Sequence, residues 1–534
     1  MSMDPHAPPL RGSLPPEGAD PPWGGPAADR AGPFIHSAFE ARCREQPGKT
    51  ALVVGERRVT YGELIAQVNG IATALHDEGI ARGDRVVLLL DSSVDYVAAL
   101  HAVWRLGAVA VPLGPQTKAA KLAHVLADTG ARALLTQATL SNVWSAASND
   151  ALLRVWVRGE APSPTLAWPS PSNHAANLPG PTSASDLATL IYTSGTTGQP
   201  KGVMLSHANM LAAWRSVQAY LQLRPQDVIG LALPPSFSYG LYHVVMGLGI
   251  GATLVLENTA AFPAKLVQRL ASERVTVFPG VPMLWASLLA LDLSAHDLSA
   301  LRLITNAAAA LPAAHTALLR TRLPQAQLLL MYGLTECKRA SYLPHEEVDS
   351  RPESVGRGLP FQEHWLVDEH GQRLPDQGCA TGELVVSGAH VSAGYWNAAP
   401  GVATRISPGS RPGEHTLRTG DVFRRDEHGW LYCVGRTDDM FKSRGEKVYP
   451  LEVEHAICEL PGVLEAAVAP MPDERLGLAV KAHVRLKPGA TLAEREVIRH
   501  CQARLESWMV PKAVAFVDKL PQTESGKLRR RDLA

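Results

Sequence analysis

The sequence has no cysteine pairing, no excess of one charge and no long apolar stretch. The six cysteines (Cys43, Cys337, Cys379, Cys433, Cys458 and Cys501) never stand as C-x-x-C and have no histidine cluster beside them. That spacing excludes zinc-ribbon and zinc-finger sites, and six cysteines in 534 residues make no disulfide framework. They read as free thiols of a reducing compartment. Lys plus Arg and Asp plus Glu both number 51, so no general field attracts nucleic acid or an anionic membrane. No run reaches the roughly 18 apolar residues of a membrane span. The nearest, LYHVVMGLGIGATLVL (241–256), is broken by His243 and repeated glycines, so it reads as a buried helix and strand. The Pro-, Gly- and Ala-rich N-terminus lacks the apolar core of a signal peptide, which predicts a cytoplasmic protein. A P-loop is missing too. Its near miss, Gly48-Lys49-Thr50, has Cys43 where the first glycine should stand and reads as a helix-to-strand turn.

What is present is a soluble globular composition, 46% apolar and 19% charged, on a chain too long for one ordinary core. Residues 1–33 repeat Pro and Gly and read as a flexible tail. Beyond Phe34, helical and strand signals alternate. Residues 60–80 and 94–108 have helical spacing, while DRVVLLL (84–90) and VAVPLG (109–114) are strands buried on both faces. This alternation predicts helices over a mostly parallel sheet. Residues 160–184, rich in Pro and Ser, read as a surface connection. A polar stretch at 435–447 precedes short mixed elements. The expected fold is α/β, with a large domain over 34–437 of helix-covered mixed, mostly parallel sheets. A small mobile α+β domain is expected over 438–534.

The richest chemical signal is LIYTSGTTGQPKGVMLSH (190–207), in which a strand leads into Thr, Ser and Gly, then Lys201, then a helix near His207. Gly195 and Gly198 let backbone N–H groups approach an anion closely. The hydroxyls of Thr193, Ser194, Thr196 and Thr197 add donors, and Lys201 adds a positive charge. The stretch TSGTTGQPKG resembles the phosphate loop of the adenylate-forming (AMP-binding) superfamily. That superfamily holds acyl-CoA synthetases, adenylation domains of peptide synthetases, and luciferases. Its other motifs follow in order: TYGEL (60–64), WRLGAVAVPLGP (104–115), MYGLTE (331–336), SVGRGLP (354–360) and GELVVSGAHVSAGYW (382–396). RTGD (418–421), GRTDDMFKSRGEKVYPLEVE (435–454) and SGKLRR (525–530) complete the series. The resemblance covers residues 36–531.

The resemblance implies activation of a carboxylic acid by ATP and Mg²⁺, forming an acyl-adenylate, then transfer of the acyl group to a thiol. Thr193 through Lys201 would wrap the departing phosphates, Glu336 would bind Mg²⁺, and Thr335 would contact phosphate or carboxylate. Tyr332 would stack on adenine, while Asp421 and Arg436 would hold the ribose. Lys527 matches the mobile lysine that bridges the carboxylate and the α-phosphate. Asp438 matches the hinge about which the small domain turns, presenting first Lys527 and then the loop with Ser443, Arg444 and Gly445 to the acceptor.

The acyl pocket is expected at Phe237, Ser238, Tyr239 and Ala307. Ser236 and Phe237 take the places where many relatives have an aromatic residue followed by His. Ser238 replaces the Asp that pairs with an α-ammonium, which argues against an ordinary α-amino acid. Ala307 and Ala308 put methyl groups where Gly is frequent, and CKRASYLP (337–344) is basic for a pocket edge. Cys337 reads as a packed small residue, since the chemistry needs no enzyme thiol. The first reading of the acceptor is CoA, for a stand-alone synthetase acting on a fatty or aromatic acid. The alternative is the phosphopantetheine of a separate acyl or peptidyl carrier protein, because only seven residues follow Lys527. A non-catalytic nucleotide binder fits poorly with so many motif residues intact, and GKLRRR is too small a footprint for nucleic acid.

Overall fold

The computed structural model describes residues 32–147, 153–160, 164–174, 177–194, 200–258, 262–398, 405–444, 446–473, 477–521 and 528–533. The expected tail falls almost entirely outside them. Contacts divide the chain into two compact units, one of residues 1–364 and 386–417 and one of 365–385 and 418–534. The boundary expected at 437/438 thus lies within the second unit, because the neighbouring strands His415–Arg425 and Leu431–Arg436 are paired through Asp421 and Arg436.

The alternating pattern gives the elements it predicted. Helix Tyr61–Asp77 starts at Thr60, whose hydroxyl accepts from Glu63 N at 3.1 Å while the Glu63 carboxylate accepts from Thr60 N at 2.7 Å. This reciprocal cap satisfies two donors that the first turn leaves open. Helix Val94–Leu106 starts at Ser93 and stops at Gly107, whose φ of +78° suits glycine. The Gly48–Lys49 segment is a turn between helix Ser37–Glu45 and strand Thr50–Val54, as expected.

Two sheets organise the first unit. One runs Leu166–Ala167, Arg154–Arg158, Ala133–Gln137, Arg85–Leu89, Val109–Leu113, Leu187–Ser194, Pro200–Ser206, parallel except for its last pair. The other has a parallel centre of Thr50–Val54, Thr253–Leu256, Val228–Leu231, Val277–Gly280, Leu303–Asn306 and Gln327–Tyr332. Antiparallel strands Arg57–Thr60 and Ser341–Leu343 flank it. The near-continuous Val/Leu runs follow from burial of both faces.

The Pro/Ser-rich connection is more than a surface segment. It contributes strand Leu166–Ala167 and lies on two helices. A Cβ on Gly70 would fall 2.0 Å from the Ser170 carbonyl oxygen, and one on Gly107 would fall 2.6 Å from Gly180. Proline and serine disfavour regular structure but leave packing undetermined, so the two glycines carry the information.

In the second unit, strands Val463–Asp473 and Gly477–Leu486 pair antiparallel, and Ala513–Phe516 joins them in parallel. Helices Pro450–Cys458 and Glu494–Gln502 bury Val453, Ile457 and Val497 with Val468 and Val480. This is the small α+β body expected. Among the described residues no helix is long and apolar enough to cross a membrane.

Candidate active site

In the first unit, the phosphate-loop segment is a β-hairpin. Strand Leu187–Ser194 pairs with Pro200–Ser206, placing Thr193 opposite Lys201 and Ser194 opposite Pro200. A strand therefore separates Lys201 from helix His207–Leu221, where the sequence alone suggested a direct run into the helix. It is held by a long-range partner: Trp396 N donates to the Gly202 carbonyl at 2.7 Å, and Met204 N to the Gly394 carbonyl at 3.0 Å. Gly195, Thr196, Thr197 and Gly198 lie outside the described residues.

Strand Gln327–Tyr332 ends at Tyr332, and a tight turn follows through Thr335 and Glu336. Gly333 permits that turn, because a Cβ there would sit 2.5 Å from the Lys338 carbonyl oxygen. The Glu336 carbonyl accepts from Ser392 N at 2.7 Å, and its carboxylate accepts from the Tyr395 hydroxyl at 2.7 Å. Lys201 Nζ stands 5.8 Å from the centroid of the Tyr395 ring. Tyr395 thus joins the expected phosphate lysine to the expected metal carboxylate, a role that sequence reading missed. Its only local trace was the GYW at the end of a quoted motif.

Mg²⁺ takes oxygen ligands, keeps several waters and needs only one or two carboxylates when phosphates share it. Glu336, half-buried and held by a neutral hydroxyl, fits that demand. Among the described residues no group of three His, Cys, Asp or Glu could hold a metal ion.

The residues expected to line the acyl pocket lie around the start of helix Ser238–Ile250. Phe237, just before it, is 40% exposed, whereas Tyr239 is buried and shares a 2.7 Å hydrogen bond with the Thr305 hydroxyl. Burial pushes the Tyr239 hydroxyl up to about 12, so it stays neutral. Ala307 is buried, and Ala308 takes a left-handed φ of +74°. Cys337 is fully buried, as a packed residue should be. Beside Tyr239 lie Lys338 and Arg339, both buried. Burial, then the Arg339 charge, holds the Lys338 ammonium well below the usual lysine range.

In the second unit, Asp421 and Arg436 face each other across a strand pair, with Arg436 Nη1 2.7 Å from Asp421 Oδ1. Their proximity suits two groups expected on one ribose. Asp438 lies 3.4 Å from Arg436, and Asp439 accepts from Arg530 at 2.9 Å. Arg530 also binds the buried Glu454 at 2.6 Å. Hairpin Phe441–Ser443/Glu446–Val448 pairs Ser443 with Glu446, leaving Arg444 (φ +56°) in its turn. Ser443 is buried and Arg444 exposed. Gly445 and Lys527 lie outside the described residues.

Comparison with known proteins gives the family. Residues 39–396 match the AMP-binding enzyme family, and 452–527 match the AMP-binding enzyme C-terminal domain. A feruloyl-CoA synthase of Amycolatopsis is 32% identical over 91% of this chain and 96% of its own. A linear gramicidin synthase of Brevibacillus parabrevis is 30% identical over 93% of this chain, which spans 6% of that protein. Among solved structures, an anthranilate CoA ligase in complex with anthranoyl-AMP superposes with a TM-score of 0.84. It is 28% identical, over 95% of this chain and 98% of that one.

Proposed function

Because the chain belongs to the AMP-binding enzyme family, we propose that the residues gathered above perform that family's chemistry in two steps. The protein is an AMP-forming acid–thiol ligase: ATP activates a carboxylic acid to an acyl-adenylate with release of pyrophosphate, and CoA takes the acyl group. The observation that supports the assignment of residues is the meeting of Lys201 and Glu336 around Tyr395. Two negative reactants must be brought together, so neighbouring charges have to be neutralised and held in line. Lys201 and the 193–198 loop take the phosphate oxygens, while Glu336 and Thr335 orient the side facing the acid. Glu336 would hold Mg²⁺, which would supply positive charge to the phosphate oxygens. Asp421 and Arg436 hold the ribose, Tyr332 lies against adenine, and Lys527 steadies the charge building between carboxylate and α-phosphate.

The second step uses the turn with Ser443, Arg444 and Gly445, brought into play by rotation about Asp438. The exposed Arg444 suits a phosphate of CoA and equally a phosphopantetheine arm on a carrier protein. Carboxylate-dependent exchange of labelled pyrophosphate into ATP, over aliphatic, aryl and amino acids, tests the first step. Product formation with CoA against a phosphopantetheinylated carrier decides the acceptor. Lys527→Ala should abolish exchange yet spare thioester formation from supplied acyl-adenylate. Equal loss of both would refute the rotation.

A further inference from the structure

Lys338 and Arg339, adjacent in sequence, are 2% and 4% exposed. In extended chain, successive side chains point to opposite faces. The left-handed backbone of Lys338, φ +62°, breaks that alternation, and both cations come to the same ring. Lys338 Nζ stands 5.5 Å, and the Arg339 guanidinium 4.4 Å, from the centroid of Tyr239. The Lys338 ammonium has further partners, since it donates to the Ser238 carbonyl at 2.9 Å and lies 4.3 Å over Tyr242. Arg339 is less well satisfied. One nitrogen donates to the Lys338 carbonyl at 2.8 Å, while Nε has no partner among the described residues. Its guanidinium also hydrogen-bonds the neutral hydroxyls of Tyr220 and Tyr239, which bring no charge. Nor does either cation meet a carboxylate among those residues.

Arg425 shows what a purely structural buried arginine looks like in this protein. Its donors go to the carbonyls of Gly378 at 3.1 Å, Gln377 at 3.2 Å and Pro375. Arg339 is held by one carbonyl and two neutral hydroxyls with Nε left open, and it sits against a residue expected in the acyl pocket. A guanidinium keeps its charge at physiological pH and offers a planar fork that matches a carboxylate. Buried without a counter-charge, it is strongly unfavourable. Ser238, Tyr239 and Ala307 supply no negative charge to answer it.

We propose that Arg339, assisted by Lys338, receives a second carboxylate carried on the acyl part of the substrate, so that the acid activated is a dicarboxylic acid. This rests on the reading that Ser238, Tyr239 and Ala307 line the acyl pocket. The reacting carboxylate lies toward Glu336 and Lys201, and the distal one reaches the cation pair. The Arg339 charge repels an α-ammonium, which agrees with the neutral Ser238.

The test is pyrophosphate exchange by the full chain with matched acids: hexanoate against adipate, and benzoate against 3-hydroxybenzoate and benzene-1,3-dicarboxylate. In at least one set the dicarboxylate should exceed its monocarboxylate about 100-fold in kcat/KM, the scale of a buried charge pair. Arg339→Met should collapse that ratio below about tenfold, mainly through KM. The preferred dicarboxylate alone should raise the melting temperature of the native protein and leave that of Arg339→Met unmoved, with circular dichroism reporting that the variant is folded. Monocarboxylates or the hydroxy acid reacting as well as the dicarboxylate, or a ratio unchanged in the variant, would overturn the proposal and leave acid activation standing. Silence with every acid would take the activation reading down with it.

Discussion

The two units bury polarity in different proportions. In the second, buried ions come as closed sets: Arg530 with Glu454 and Asp439, Arg436 with Asp421 and Asp438, Arg425 with three carbonyls. In the first, Arg302 closes on the buried Asp227, yet several other buried basic groups stand without acids, where the second has His483 alone of this kind among the described residues. His101 and His390 have both ring nitrogens unpartnered among the described residues, and His207 and His243 have one each. Lys338 and Arg339 continue the pattern beside Tyr239. A closed ion set fixes geometry and resists change, whereas an unanswered base is either kept neutral or waits for a ligand. The second unit therefore reads as the more completely paired of the two, and the first as the one that keeps more unanswered bases.

Acid should separate them most strongly. Burial lowers His101, His243 and His390 to about 3 and His207 to about 4. Unfolded, each titrates near 6.5, so between about 4 and 6.5 the unfolded chain binds more protons. Stability is complete above 6.5 and falls as pH drops below it, by about 1.4 kcal/mol per pH unit for each histidine. Urea unfolding at pH 7.0 and 5.5 should show the first unit losing several times what the second loses. Equal losses would break the contrast.

Next in size is Arg530→Met. It leaves Glu454, 7% exposed, without its cation, at a cost of about 3 kcal/mol from the second unit's unfolding free energy. Loss below about 1 kcal/mol would mean the set is not closed after all.

How much of this was legible differs by the range of the interaction. Strands at 85–89 and 109–113, and the helices between and before them, are local facts, written in Val/Leu runs, Thr60 and Ser93 caps and Gly107. The site motifs were nameable by resemblance, which assigned Asp421 and Arg436 to one ribose before their strands were seen to pair. What escaped depends on distant partners. Tyr395 meets Glu336 across 59 positions, and strand Pro200–Ser206 is fixed partly by Gly394 and Trp396. The segment 337–344 was visibly basic, but only the left-handed turn at Lys338 brings two successive cations to one ring.

Smaller effects probe the acyl region itself. Ala308 holds φ +74°, a conformation that costs an L-residue about 1–2 kcal/mol. Ala308→Gly removes that strain but loosens the unfolded chain, so the net gain should be about 0.5 kcal/mol. A destabilised variant would mean that the Ala308 methyl is needed for packing. The smallest expected change, and the sharpest, is the stability of Arg339→Met. Replacing a buried charge that has an acid partner normally destabilises by several kcal/mol, because the partner is left behind. Arg339 leaves no acid behind, so methionine of similar volume should be neutral or stabilising by about 1 kcal/mol in the ligand-free protein. With Arg530→Met measured under the same conditions, the two arginines should differ by about 4 kcal/mol. If instead Arg339→Met were the more damaging, its charge would have a partner within the fold, and the first unit would be built like the second.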